Sequence, residues 1–193
     1  MRVALCVLVA LSTAACGPKT PAAGPESQPD PLDQSIPMDP GVRHGTLDNG
    51  MRYFIEQNNE PENRAVFRLV VDAGSVLEDE DQLGLAHFLE HMAFNGTENF
   101  EGNELINYLE SVGTRFGAHL NAHTSFDETV YKLQVPTDDA EVFDKAFVIM
   151  DDWARGMRLD PEEIEKERGV VLEEWRRRLG AGHRSMMATA PVV

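Results

Sequence analysis

A chain of 193 residues with 33 acidic and 17 basic side chains has a formal net charge of −16. That charge argues against a nucleic-acid partner, whose phosphates would repel it, and disfavours an anionic lipid surface. With 42% hydrophobic and 26% charged residues, the composition is that of an ordinary globular domain, long enough to bury one core.

The first residues read as an export signal. Met1-Arg2 is a basic start, residues 3–11 are an apolar run too short to span a bilayer stably, and Ser12-Thr13-Ala14-Ala15-Cys16 places small residues before a cut. Cysteine directly after Ala14-Ala15 looks like a bacterial lipoprotein cleavage site, which would make Cys16 a lipid anchor at the outer membrane. Thr13 stands where such sites usually carry a larger aliphatic residue, so a soluble periplasmic product cut nearby is the alternative. Either cut discards Cys6 and leaves no cysteine after Cys16, so the mature domain has neither a disulfide nor a thiolate nucleophile. Residues 17–40 are rich in Pro, Ala, Gly, Ser and Asp and cannot bury enough apolar surface to offset their ordering entropy. They read as a tether, and the folded domain is expected over residues 41–193.

Within that domain, Asp48-Asn49-Gly50 is a turn signal followed by a strand at residues 51–56. Residues 58–63 form a loop, and the β-branched run at 65–71 reads as a buried strand stopped by Ala73-Gly74-Ser75. The acidic stretch Glu78-Asp79-Glu80-Asp81 suits a helix N-terminus, and the helix it opens is expected to run to Asn95-Gly96.

This helix carries His87-Phe88-Leu89-Glu90-His91. Spacing of i, i+3 and i+4 puts two imidazoles and one carboxylate on one face. Two histidines one turn apart can share a metal, and the order His-x-x-Glu-His is the inverted zinc-peptidase signature. Leu85, Phe88, Leu89 and Met92 make an apolar stripe on the other side. A plain surface helix is the bland alternative. Leu83, Ala86, Ala93 and Phe94 flank the polar trio, however, which favours a helix buried on both sides with its polar residues facing a site.

A second amphipathic helix is expected over residues 103–112, stopped by Gly113, and a strand at 130–135. Pro136-Thr137-Asp138-Asp139 starts a long helix whose Val142, Phe143, Ala146, Met150, Trp153 and Met157 read as core. The last helix opens with Asp160-Pro161-Glu162-Glu163, an N-cap followed by proline. Its Glu167 and Glu174 lie seven apart on one face; by composition alone they are better explained as solvated partners of Lys166, Arg168 and Arg176 to Arg178 than as metal ligands.

Three stretches together resemble the M16 (pitrilysin/insulinase-type) zinc peptidases. They are His87-Phe88-Leu89-Glu90-His91-Met92-Ala93-Phe94-Asn95-Gly96-Thr97, Leu120-Asn121-Ala122-His123-Thr124-Ser125-Phe126-Asp127-Glu128-Thr129-Val130-Tyr131, and Glu167-Arg168-Gly169-Val170-Val171-Leu172-Glu173-Glu174-Trp175. The resemblance covers residues 41–180 and is nearest to the bacterial periplasmic branch. It implies an α/β (α+β) fold, a mixed and mainly antiparallel sheet packed on helices. It also implies zinc held by His87, His91 and Glu174, with Glu90 as general base and Glu167 as a supporting acid. In the family, the pair matching Asn121-Ala122 lies on an edge strand to which an extended peptide substrate adds. His123 stands where relatives commonly carry Tyr, so it is read, with His44, His119 and His183, as a structural or surface histidine.

The family uses at least two homologous domains, the second supplying an Arg and a Tyr that clamp the substrate. This sequence therefore reads as an incomplete first domain whose activity needs a second M16 domain or chain. The expectation is a zinc endopeptidase, or its catalytic part, acting on unfolded peptides in the periplasm. The alternatives are a non-catalytic zinc- or peptide-binding module and a truncated product that does not fold stably.

Overall fold

The structure is a computed structural model and is described for residues 36–190. The signal at residues 1–16, Cys16 and most of the tether lie outside the described residues. By its internal contacts the chain forms two units, divided between Gln57 and Asn58.

In the first unit, β1 (Arg43–Thr46) and β2 (Arg52–Ile55) form an antiparallel hairpin with Arg43 opposite Ile55. Asp48-Asn49-Gly50 makes the turn. Gly50 sits at φ 88°, where a side chain would be strained, and Asn49 Oδ1 accepts from Met51 N at 3.0 Å. The β1 strand was not legible in its short polar sequence.

The second unit is built on a three-stranded antiparallel sheet in the order β3-β5-β4, with β3 at Arg64–Val71, β4 at Leu120–Thr124 and β5 at Thr129–Pro136. Strand alternation sends odd-numbered residues of β3 and β5 to one face and even-numbered ones to the other. Cross-strand rows on the inner face are Phe67–Leu133–Leu120, Leu69–Tyr131–Ala122 and Val71–Thr129–Thr124. Arg64, Arg68, Lys132 and Gln134 lie on the outer face.

The helices are α1 (Leu85–Met92), α2 (Glu104–Ser111), α3 (Ala140–Arg155), α4 (Pro161–Arg178) and α5 (Ala181–Thr189). Both α1 and α3 pack against the sheet. The core joins Leu120, Tyr131, Leu133 and Val135 of the sheet to Ala93 and Phe94 after α1, Leu105 and Leu109 of α2, and Val142, Ala146, Ile149 and Trp153 of α3. Each fully buried leucine or isoleucine there contributes roughly 1.5–3 kcal/mol of transfer free energy. The architecture is the mixed antiparallel sheet with helices that the sequence led us to expect.

Two expectations about α1 need correction. The helix starts at Leu85, not in the acidic run, because Gly84 at φ 93° breaks the helical path; residues 75–77 form a single 3-10 turn. The acid still serves the helix end. Glu78 folds over it and accepts from Gly84 N and Ala86 N, both at 2.8 Å, satisfying donors that the first turn leaves open. The expected apolar stripe is also only half inside: Met92 is buried, but Leu85 and Leu89 are 55% and 45% exposed among the described residues.

The end of α1 is tied to α3. Trp153 donates its indole N–H to Ala93 O at 3.1 Å. Asp152, 2% exposed, accepts from Thr97 Oγ1 at 2.6 Å, Asn99 Nδ2 at 2.7 Å and Asn99 N at 3.2 Å. A buried carboxylate is tolerated only when saturated with donors in this way. α3 ends at Arg155 rather than at Met157, because Gly156 accepts from Glu98 N and Met157 bridges to Thr97.

Candidate metal centre

Helix α1 projects His87 and His91 toward α4, which packs across it. α4 begins with Pro161, whose missing N–H costs nothing in the first turn, and ends with Arg176, Arg177 and Arg178, which complement its C-terminal dipole. None of its residues is fully buried. Its half-buried positions include Ile164, Glu167, Val171 and Glu174, spaced at 3, 4 and 3 residues, a single stripe. Seven residues is two helical turns, so Glu167 and Glu174 reach the same neighbour helix at different heights.

The two imidazole Nε2 atoms face each other at 3.2 Å, with ring centroids 4.7 Å apart and planes at 83°. Glu174 Oε2 lies 3.3 Å from His91 Nε2 and 3.7 Å from His87 Nε2. The other oxygen of Glu174 is engaged by Arg178, which turns Oε2 toward the histidines. Donor atoms of all three residues lie within 4.8 Å of one another.

This donor set fits a zinc ion. Imidazole and carboxylate ligands at about 2.0–2.2 Å from one tetrahedral centre are roughly 3.3–3.5 Å from each other, close to the three separations found here. Protonation points the same way. His91 Nδ1 is 2.7 Å from Glu167 Oε1, so the ring donates there and, when neutral, leaves Nε2 with its lone pair toward the centre. Burial lowers the pKa of His87 from 6.5, and His91 beside it lowers it further, partly offset by Glu174 and Glu90. The neutral ring that a metal requires is thus favoured.

Glu90 is not among the converging three. It is 8% exposed and accepts from Thr124 Oγ1 at 2.7 Å. Thr129 Oγ1 in turn donates to Ala73 O at 2.9 Å, so the inner row Val71–Thr129–Thr124 ends at the Glu90 carboxylate. Burial, with Glu90 nearby, pushes the neighbouring Tyr131 hydroxyl up to about 12.

Asn121 and Ala122 fall on β4, which pairs with β5 on one side only among the described residues. Gln134 N donates to His119 O, and Ser125 N to Glu128 O. By alternation, Leu120, Ala122 and Thr124 therefore direct their backbone groups away from β5. Leu120 already spends both of its own on Arg115 and Gly117, while Ala122 N is covered by Asn121 Oδ1 at 3.0 Å. His123 stands off to the outer face, 3.7 Å from Glu128.

Sequence reasoning gave Thr124 no role of its own, read Asn95 only as part of a helix stop, and read Glu78 only as one of an acidic run at the helix start. Strand alternation from Ala122 could have placed Thr124 on the inner face, but nothing local pairs it with Glu90.

Residues 53–187 match the family described as Insulinase (Peptidase family M16). The chain is 44% identical over 147 residues to a protein named probable zinc protease PqqL from Haemophilus influenzae, covering 76% of this chain and 16% of that one. The first half of the periplasmic protease PqqL from Escherichia coli superposes with a TM-score of 0.78 at 39% identity, over 82% of this chain and 34% of that one. The bovine mitochondrial cytochrome b-c1 complex subunit 1 is 36% identical over 141 residues, covering 73% of this chain and 28% of that one. The chain thus spans about a sixth of the length of its PqqL relative.

Proposed function

The chain belongs to the insulinase family of peptidases, M16, and from that premise we propose that it carries the zinc centre of an exported metallopeptidase that hydrolyses bonds in extended, unfolded peptides. The observation that carries this reading is the convergence of His87, His91 and Glu174, with the far nitrogen of His91 held by Glu167.

In this reading His87 and His91 hold zinc through Nε2, and Glu174 does so through Oε2. A bound zinc would lower the pKa of a water toward ~7 and polarise the scissile carbonyl. Glu90 is the general base. Its carboxylate takes the proton of the attacking water and returns it to the departing amine nitrogen. Thr124 holds that carboxylate by one oxygen, and burial keeps bulk water from competing for it. Glu167 fixes the His91 tautomer and takes no proton from substrate.

The substrate adds as a strand beside β4. Ala122 C=O and the Thr124 backbone are the outward groups that no other described residue engages, and Thr124 is the residue whose side chain reaches Glu90. A peptide paired there runs past the general base, with sequence tolerance set by backbone pairing. Export and a periplasmic setting agree with the PqqL relative described as periplasmic, and anchoring through Cys16 is the form of export that the Ala14-Ala15-Cys16 run suggests.

A second reading is that these residues hold metal and peptide but turn over only alongside a second M16 domain. It is favoured by the share of the relatives that the chain spans, 34% of the first half of PqqL and 16–17% of whole PqqL sequences. One experiment separates the two. Zinc content and cleavage of an unstructured fluorogenic peptide are measured for the chain and for Glu90→Gln. Cleavage lost with zinc retained supports the first reading, and zinc without cleavage in both proteins supports the second. Glu90→Gln cleaving as fast as the parent would remove Glu90 as the base.

A further inference from the structure

The two acids of α4 are not equally placed to be self-sufficient. Glu174 approaches the histidines directly, whereas Glu167 acts on His91 through its far nitrogen. One oxygen of Glu167 is spent on that ring. Its other oxygen, Oε2, accepts from Asn95 Nδ2 at 2.8 Å. The same amide nitrogen lies 3.3 Å from His91 O, so its two hydrogens bridge the end of α1 to α4. Among the described residues, every side-chain hydrogen bond from α4 to another element ends on Glu167, donated by His91 or Asn95.

Asn95 is itself held from the opposite side. Its N–H donates to Met92 O at 3.1 Å, and the next residue, Gly96, takes φ 120° and accepts from Arg158 N at 3.2 Å. Thr97 and Asn99 are locked onto the buried Asp152. Asn95 therefore does not follow α4; it is set by the end of α1, whose next residues are tied to Asp152 of α3 and to Arg158, and it offers α4 a fixed donor. A carboxylate with one oxygen on a fixed amide has one orientation left for the other oxygen, the one that takes the His91 Nδ1 proton. Without the amide, Glu167 can rotate, and His91 can present either tautomer to the centre.

We propose that Asn95 is a positioning residue for the metal centre, fixing Glu167 so that His91 offers its Nε2 lone pair to the ion. The proposal rests on the zinc reading above and concerns affinity for the metal, not a chemical step. Outer partners of metal-ligating histidines set affinity by about 10- to 100-fold.

The test measures the zinc dissociation constant of the chain by competition with a chromophoric chelator, and in parallel the thermal midpoint of the metal-free chain. Asn95→Leu removes the donor; Asn95→Asp keeps the shape at the helix end, offers no N–H and sets a like charge beside Glu167. Each is expected to weaken zinc binding about 10- to 100-fold. In a Glu167→Ala background, Asn95→Leu is expected to change affinity less than about twofold, because its effect runs through that carboxylate. A merely structural role would instead lower the metal-free midpoint and weaken zinc equally in both backgrounds, which would overturn the proposal. Binding within about twofold of the parent in both Asn95 variants would also overturn it. A parent chain that takes up no zinc would bring down the metal reading and this proposal together.

Discussion

Thr124 donates its hydroxyl proton to Glu90 across 2.7 Å, joining the edge strand β4 to the buried carboxylate of the histidine helix. Thr124→Val keeps the shape and removes the donor. A hydrogen bond to a charged group contributes about 1.5–3 kcal/mol, so the variant should lose about that much unfolding free energy and unfold at lower urea, while Thr124→Ser stays near the parent. Zinc affinity should not change in either, since Thr124 touches no ligand. Chemical denaturation of the three proteins checks this, and an unshifted Val variant would show that the contact carries no weight.

Asp152→Ala strips the acceptor from Thr97, from the Asn99 side chain and from its backbone N–H. Buried donors left without partners cost about 1–3 kcal/mol each when water cannot reach them. Only Thr97 among these donors is fully buried, since water can reach Asn99, so the expected loss is about 1–3 kcal/mol, read as a shift in denaturation midpoint. Asp152→Asn, which keeps an acceptor oxygen, should lose less.

Glu78→Ala uncovers the first turn of α1 by removing acceptors from Gly84 N and Ala86 N. Loss of an N-terminal cap costs about 1 kcal/mol. Hydrogen exchange at Ala86 and His87 should quicken in the variant, while exchange in the β3–β5 ladder keeps pace with the parent apart from the small global shift.

The metal-free chain should lose stability in mild acid. His87 in the folded state has its pKa held below 6.5 by burial and by His91, whereas the unfolded chain regains about 6.5. Between those values the unfolded chain binds more protons, so stability rises with pH there. The contribution is complete above about 6.5 and fades as the pH falls through the lowered folded value. Denaturation midpoints at pH 7.5 and 5.5 should differ less in His87→Gln than in the parent.

How much of this was written legibly in the sequence depends on range. His87, Glu90 and His91 are local, and a helical period alone put them on one face. The long helix α3 and the strands β3 and β5 were likewise marked by their own apolar periods. β4 was not, because Leu120–Thr124 contains Asn, His and Thr and becomes a strand through its pairing with β5. Glu173 and Glu174 are neighbours that composition cannot tell apart. In the structure, Glu173 is exposed and pairs with Arg176, while Glu174 turns inward to the histidines. Thr124 and Asn95 were missed because their partners lie 34 and 72 residues away, and neither residue type announces a role. The start of α1 was misplaced for a related reason: acidic residues before a helix look the same whether they begin it or cap it from outside.

That distinction between adjacent glutamates gives the most direct test of the metal centre. Zinc titration of the chain, followed calorimetrically, should show one ion bound per chain. Glu174→Ala should weaken binding by at least tenfold, as loss of a coordinating carboxylate requires, and Glu173→Ala should leave it unchanged. Equal affinity in parent and Glu174→Ala, or a loss confined to Glu173→Ala, would contradict the ligand set His87, His91 and Glu174.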